Sequence, residues 1–212
     1  MPETLLKDRD YTIIVAKSES PVLRAIGNAE WRWVTAQLSL VALARKCEEM
    51  DPDGITIYIS SNETQAIGSF KKYERVSATQ IDQVFLENHP PASLDLAAVL
   101  QTALCDYFVR KAAAQGKPNG GIIIVMTDGE PDDRMAIAKA IVEATQKMER
   151  DEELGVGFVQ VGDDAITTGF LHMLDEDLQA AGAKFDIVHT DLLTDLENTD
   201  ALTQFLLDIV QA

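Results

Sequence analysis

Apolar and polar positions along the chain fall into two alternating kinds of segment. Short, nearly continuous apolar runs recur at 11–16 (YTIIVA), 55–60 (ITIYIS), 121–126 (GIIIVM), 154–162 (LGVGFVQVG) and 185–190 (FDIVHT). Each is too short for a helix, and most are rich in β-branched residues, the pattern of strands buried on both faces. Between them, apolar residues return every three or four positions. Over 29–50 the residues Trp33, Leu40, Leu43 and Cys47 fall near one stripe, and similar stripes cover 94–115, 134–150, 167–181 and 200–212. That spacing predicts amphipathic helices. The stretch 77–88 opens on Ser77, a good capping residue, and predicts a shorter helix. The stretch 68–76 (GSFKKYERV) fits an edge strand whose lysines discourage pairing with foreign sheets.

The punctuation agrees with this division. DPDG at 51–54, HPPAS at 89–93, GKPNG at 116–120 and TDGEPDD at 127–133 separate the periodic segments. The acids just before Arg134 suit the positive end of the helix that follows. Strand and helix signals alternate without repeats or linkers. The expected fold is α/β: a doubly wound, mostly parallel central sheet with helices on both faces, forming one domain over 1–212.

Composition narrows the setting. The 212 residues are 46% hydrophobic, enough for a sizeable core, and 35 acidic against 18 basic residues leave a net charge of −17. An acidic excess of that size disfavours nucleic acid and anionic membrane as partners; it also serves plain solubility. No apolar run approaches the ~20 residues of a membrane span. The opening MPETLLKDRD has no apolar secretory core. Cys47 and Cys105 lie within helical patterns without a C-x-x-C pair, and read as buried, reduced thiols. A soluble, cytoplasmic protein is expected.

Folds of this kind gather ligands at the carboxyl ends of their strands. Three segments converge there: AKSES (16–20), PPASLD (90–95) and TDGEPDD (127–133). Competing chemistries lack their residues. His89, His172 and His189 are far apart, which argues against zinc. No G-x-S-x-G elbow is present, and KSESP after the first strand offers no glycine-rich cradle for a nucleotide.

The order and spacing of these segments resembles the von Willebrand factor type A family. The likeness runs along nearly the whole chain, through PDGITIYIS, LDLAAVLQTAL, GIIIVMTDGEPDD and GVGFVQVG. It implies a metal-ion-dependent adhesion site for Mg or Mn, built from Asp-x-Ser-x-Ser after the first strand, a Thr from a central loop and an Asp in a Thr-Asp-Gly turn. A partner's carboxylate usually completes the metal's shell. Position by position, Ser18, Ser20 and Asp128 match as metal ligands. Ala16 stands where the family has its first Asp, Leu94 where it has Thr, and Glu19 where Gly is frequent. Two hydroxyls and one carboxylate offer little charge to offset dehydration of a hard cation. The expectation is no metal, or weakly bound Mg or Mn. Three rescues are conceivable: Glu19 folding back, Ser93 standing in for the Thr, or Asp95 turning inward. Without metal, Ser18 and Ser20 would cap the turn, Asp128 would hold the next helix's N-terminus, and Ala16 and Leu94 would fill the vacated space.

The resulting expectation is a non-enzymatic protein–protein interaction module. Its top-face loops would meet a protein partner through Lys17, Glu19, Ser93, Asp95 and Glu130. Resemblance to bacterial members implies an AAA+ ATPase as one such partner. The alternative is a metal-assisted phosphohydrolase using the 128–133 loop with Asp128, Asp132 and Asp133, for which no nucleophile or base presents itself. A structural scaffold would share the same fold. Trp31 and Trp33 suit packing at the start of their helix, or anchoring of a partner.

Overall fold

A computed structural model describes residues 2–16, 29–60, 70–88, 94–193 and 198–212, with side chains described from Gln37 onward in the first long helix. Among the described residues, six strands run in the order β3-β2-β1-β4-β5-β6. They are β1 (Asp10–Ala16), β2 (Ile55–Ser60), β3 (Phe70–Val76), β4 (Gly121–Thr127), β5 (Leu154–Gln160) and β6 (Val188–Leu192). All neighbours pair in parallel except β3, which lies antiparallel on β2 at one edge. The α-helices are α1 (Ala29–Met50), α2 (Ile81–Glu87), α3 (Leu96–Ala112), α4 (Arg134–Thr145), α5 (Ala165–Glu176) and α6 (Thr199–Gln211). This is the doubly wound α/β architecture that the alternation of patterns predicts.

The alternation of side chains along each strand sorts the core into two layers. Ile13 and Val15 of β1, Ile57 and Ile59 of β2, and Ile124 and Met126 of β4 face α1, α2 and α6. Ile14 and Ala16, with Ile123, Val125, Val156 and Phe158, face α3, α4 and α5. In α1 the predicted stripe is confirmed at Leu40, Leu43 and Cys47, all buried; the Trp31 and Trp33 side chains lie outside the described residues. Cys105 departs from expectation and is exposed. The buried face of α3 runs through Val99, Leu100, Ala103, Leu104 and Tyr107, which leaves position 105 on the opposite side.

Two glycines let α6 sit directly on the sheet. A methyl group at Gly157 would lie 2.3 Å from Ile209 Cδ1 and 2.8 Å from Phe205 Cζ; at Gly155 it would lie 2.4 Å from Ile209 Cγ2. All three distances are below ordinary contact, so the close approach depends on the missing Cβ atoms. At the amino edge, the buried Glu153 carboxylate accepts hydrogen bonds from Lys111 Nζ (2.8 Å), Tyr107 Oη (3.3 Å) and the Glu149 N–H (2.9 Å).

The edges depart most from the sequence pattern. Strand β3 carries a register shift opposite Ile55 and Ile57, and Arg75 adopts a left-handed φ of 54° there. The sixth strand, predicted over 185–190, is shifted to Val188–Leu192. The Ile187 carbonyl already accepts from Val156 N–H (2.7 Å), and the strand then continues through the half-buried polar residues His189, Thr190 and Asp191. Carboxylates bind its alternate N–H groups. Asp186 takes Val188, Asp175 takes Thr190 N–H (3.0 Å) together with its hydroxyl (2.8 Å), and Asp191 takes Leu192 (2.9 Å). Helices α3 and α4 are shorter than their apolar stripes, ending at Ala112 and Thr145.

Candidate functional site

Strand order reverses between β1 and β4: from β1 the chain builds outward to β2 and β3, and from β4 to β5 and β6. The carboxyl ends of these two strands therefore border the crevice where such folds bind ligands. Ala16, the last residue of β1, is paired in register with Thr127, the last of β4. Asp128 follows directly and is half-buried.

The crevice floor is apolar where the family resemblance calls for oxygen. Ala16 and Leu94 are 7% and 8% exposed and belong to one apolar cluster with Ile14, Val125 and Leu96. Ser18, Ser20, Lys17, Glu19 and Ser93 lie outside the described residues. Asp95, which sequence reasoning offered as an inward-turning ligand, is exposed and caps α3 instead, accepting from the Ala98 N–H at 3.0 Å. Among the described residues, this edge carries the hydrocarbon of Ala16 and Leu94, with the half-buried Asp128 just beyond β4. No group of three or more His, Cys, Asp or Glu suited to a metal occurs among the described residues.

The turn after β4 is fixed from within. The Thr127 hydroxyl, fully buried, donates to the Gly129 carbonyl (2.7 Å), while the Thr127 carbonyl accepts from Val161 N–H (2.7 Å) at the end of β5. The N-cap of α4 is Asp133, whose carboxylate accepts from the Ala136 N–H at 2.9 Å. Glu130 is half-buried and paired with Arg134 Nε at 2.5 Å, and the Arg134 guanidinium lies 5.6 Å from the Phe170 ring centroid on α5. Asp132 is exposed.

Two buried polar residues at this edge escaped the sequence reading. Ser60 ends β2 beside β1, is fully buried, and its Oγ has no hydrogen-bond partner among the described residues. Alternation along β2, with Tyr58 in the same cluster as Ala16, puts Ser60 on the Ala16 side of the sheet. Gln160 ends β5 and ties it to α5, donating to the Asp164 carbonyl (3.0 Å) and accepting from the Thr168 hydroxyl (2.9 Å). The available signal was the polar residue closing each apolar run, in ITIYIS and LGVGFVQ.

No protein-family model matches the chain, and no curated protein matches it. Solved structures share its fold. It is similar to proximal thread matrix protein 1 from the mussel byssus, at 12% identity and a TM-score of 0.50, covering 96% of this chain and 48% of that one. It is also similar to the pilus adhesin SpaC from Lactobacillus rhamnosus GG, at 10% identity and a TM-score of 0.52, covering 96% of this chain and 30% of that one. The chain therefore spans about half the length of the first and under a third of the second. At these identities the likeness speaks for the fold. No helix among the described residues is long and apolar enough to cross a membrane.

Proposed function

We propose that the chain is a protein-interaction module of the von Willebrand factor type A kind that has exchanged its metal for hydrocarbon. It meets a protein partner through the loops at the carboxyl edge of the sheet, without turnover of a substrate. The observation that carries this reading is the pair Ala16 and Leu94, both buried in one apolar cluster at the crevice where the strand order reverses. Filling that floor with methyl groups removes the charge a divalent ion needs and leaves the fold's usual ligand-binding edge as a contact surface. Cys47 and Cys105 are both unpaired, which suits a reducing compartment such as the cytoplasm. An ATPase as the partner rests on the resemblance alone.

A site-specific photo-crosslinker tests the reading. Placed at Glu130, it is expected to capture one defined protein in cells, and to do so equally well with divalent ions chelated in the lysate. The same probe at Glu152, at the other end of the sheet, is expected to capture none. Capture that requires Mg, or that comes from Glu152, overturns the proposal. So does phosphatase turnover that is lost in Asp128→Asn.

A further inference from the structure

Helices α3 and α4 lie side by side, and a solvent-open trough of about 370 Å³ runs between them. Its floor is alanine: Ala97 and Ala98 from α3, Ala136 and Ala140 from α4. Side chains this small leave a groove that the ridge of side chains on an incoming helix can enter. The uncharged surface continues along α3. Its exposed residues from Ala98 to Val109 are Ala98, Gln101, Cys105 and Val109, and none carries a charge. That strip covers about three helical turns, or ~16 Å. In a chain of which 25% is charged, it has the composition of an interface centre, where charged residues are depleted.

Charge marks one end of the trough. Asp95 and Asp133, the N-caps of α3 and α4, both line its mouth at the carboxyl edge of the sheet, and both are exposed. Each gives one oxygen to its own helix, to the Ala98 N–H at 3.0 Å and the Ala136 N–H at 2.9 Å, and the second oxygen has no partner among the described residues. At the far rim Lys139 and Glu143 offset each other at 3.7 Å, so the unbalanced charge is that of the two aspartates. A helix lying antiparallel to α3 and α4 matches this pattern. Its carboxyl end, the negative end of its dipole, faces their amino ends, and a cation in its last turn, where helices favour Lys and Arg, meets the two carboxylates. The net charge of −17 draws such a basic segment in.

We infer that the trough between α3 and α4 seats a helix of the partner, antiparallel to both, whose last turn places a lysine or arginine between Asp95 and Asp133. This rests on the interaction-module reading and names what the partner presents. The probe is an alanine-rich helical peptide of about 16 residues with two arginines in its last turn, long enough to hold a helix in water. It is titrated into the full chain and followed by chemical shifts. The control carries the arginines in its first turn. The first peptide should bind with its largest shifts at Ala98, Ala136 and Ala140, and the control should bind roughly fivefold more weakly. Asp95→Asn with Asp133→Asn removes the charge and keeps both caps, because asparagine caps as well as aspartate. That pair should also weaken binding by roughly fivefold. Ala98→Trp, which fills the trough, should abolish it; circular dichroism checks the fold, and Gln101→Trp at the same wall takes its place if the first variant does not fold. Absence of shifts in the trough, equal binding of the two peptides, or affinity unchanged by the asparagine pair overturns the inference. The titration needs no cellular partner, so capture at Glu130 alongside a failed titration sinks the helix-binding trough and spares the interaction-module reading.

Discussion

If hydrocarbon at residues 16 and 94 is what excludes a divalent ion, putting oxygen back should admit one. The perturbation is Ala16→Asp with Leu94→Thr. Both sites are over nine-tenths buried, so the apo variant should be less stable than the parent. An unpaired buried carboxylate costs about 2–4 kcal/mol, and trimming a buried leucine costs about 1–3 kcal/mol. Metal binding then offsets part of this. At a concentration one hundred times the dissociation constant, a ligand confined to the folded state adds about 2.7 kcal/mol. For a chain of 212 residues that raises the melting temperature by about 5–10 °C. The assay is thermal unfolding of parent and double variant, in EDTA and in 10 mM Mg. The parent should melt at the same temperature in both, and the variant should melt lower than the parent in EDTA and rise with Mg. A parent stabilised by low-millimolar Mg, or a variant indifferent to it, refutes the reasoning.

Other outcomes can be checked directly. Gly157→Ala should destabilise the chain by about 1–3 kcal/mol in urea unfolding, because its methyl would meet Ile209 Cδ1 at 2.3 Å, and Ile209→Val, which removes that atom, should recover part of the loss. Burial pushes the Glu153 carboxyl up, but the Lys111 hydrogen bond and the Glu149 N–H outweigh it and hold its pKa below the ordinary range. A depressed folded-state pKa contributes stability that is present above the unfolded value and lost as pH falls through the folded one. Unfolding free energy should therefore drop between about pH 5 and pH 3 more steeply in the parent than in Glu153→Gln. One thiol per native chain, Cys105, should react with a disulfide reagent, and Cys47, whose thiol burial pushes up, should react only on unfolding.

The central strands were legible because they are buried on both faces and so are almost wholly apolar; GIIIVM at 121–126 needs no context to be read. The stripe in 29–50 was legible for the matching reason, a single wet face. The strand at Val188–Leu192 was not, since its polar residues are chosen by neighbours such as Asp175, which is remote in sequence. Cys105 failed on helical phase: the apolar stripe of α3 was recognised, and the angular position of one residue on it was not. At the carboxyl edge, the sequence showed apolar residues at Ala16 and Leu94, and both are buried. It did not show that Asp95 and Asp133 are each committed to a helix terminus, because capping is a three-residue relation that a loop's acids satisfy in several ways.

The carboxylates along β6 have a consequence for assembly. A sheet grows by offering free amide hydrogens to an incoming chain, and here the offering side of Val188, Thr190 and Leu192 is already taken by Asp186, Asp175 and Asp191. Near neutral pH the molecule thus resists fibrous, edge-to-edge stacking at this border. Burial pushes the Asp186 carboxyl up, so acidification loosens its hold on Val188 and bares that part of the border, and storage at low pH should be where this otherwise highly charged chain begins to self-associate.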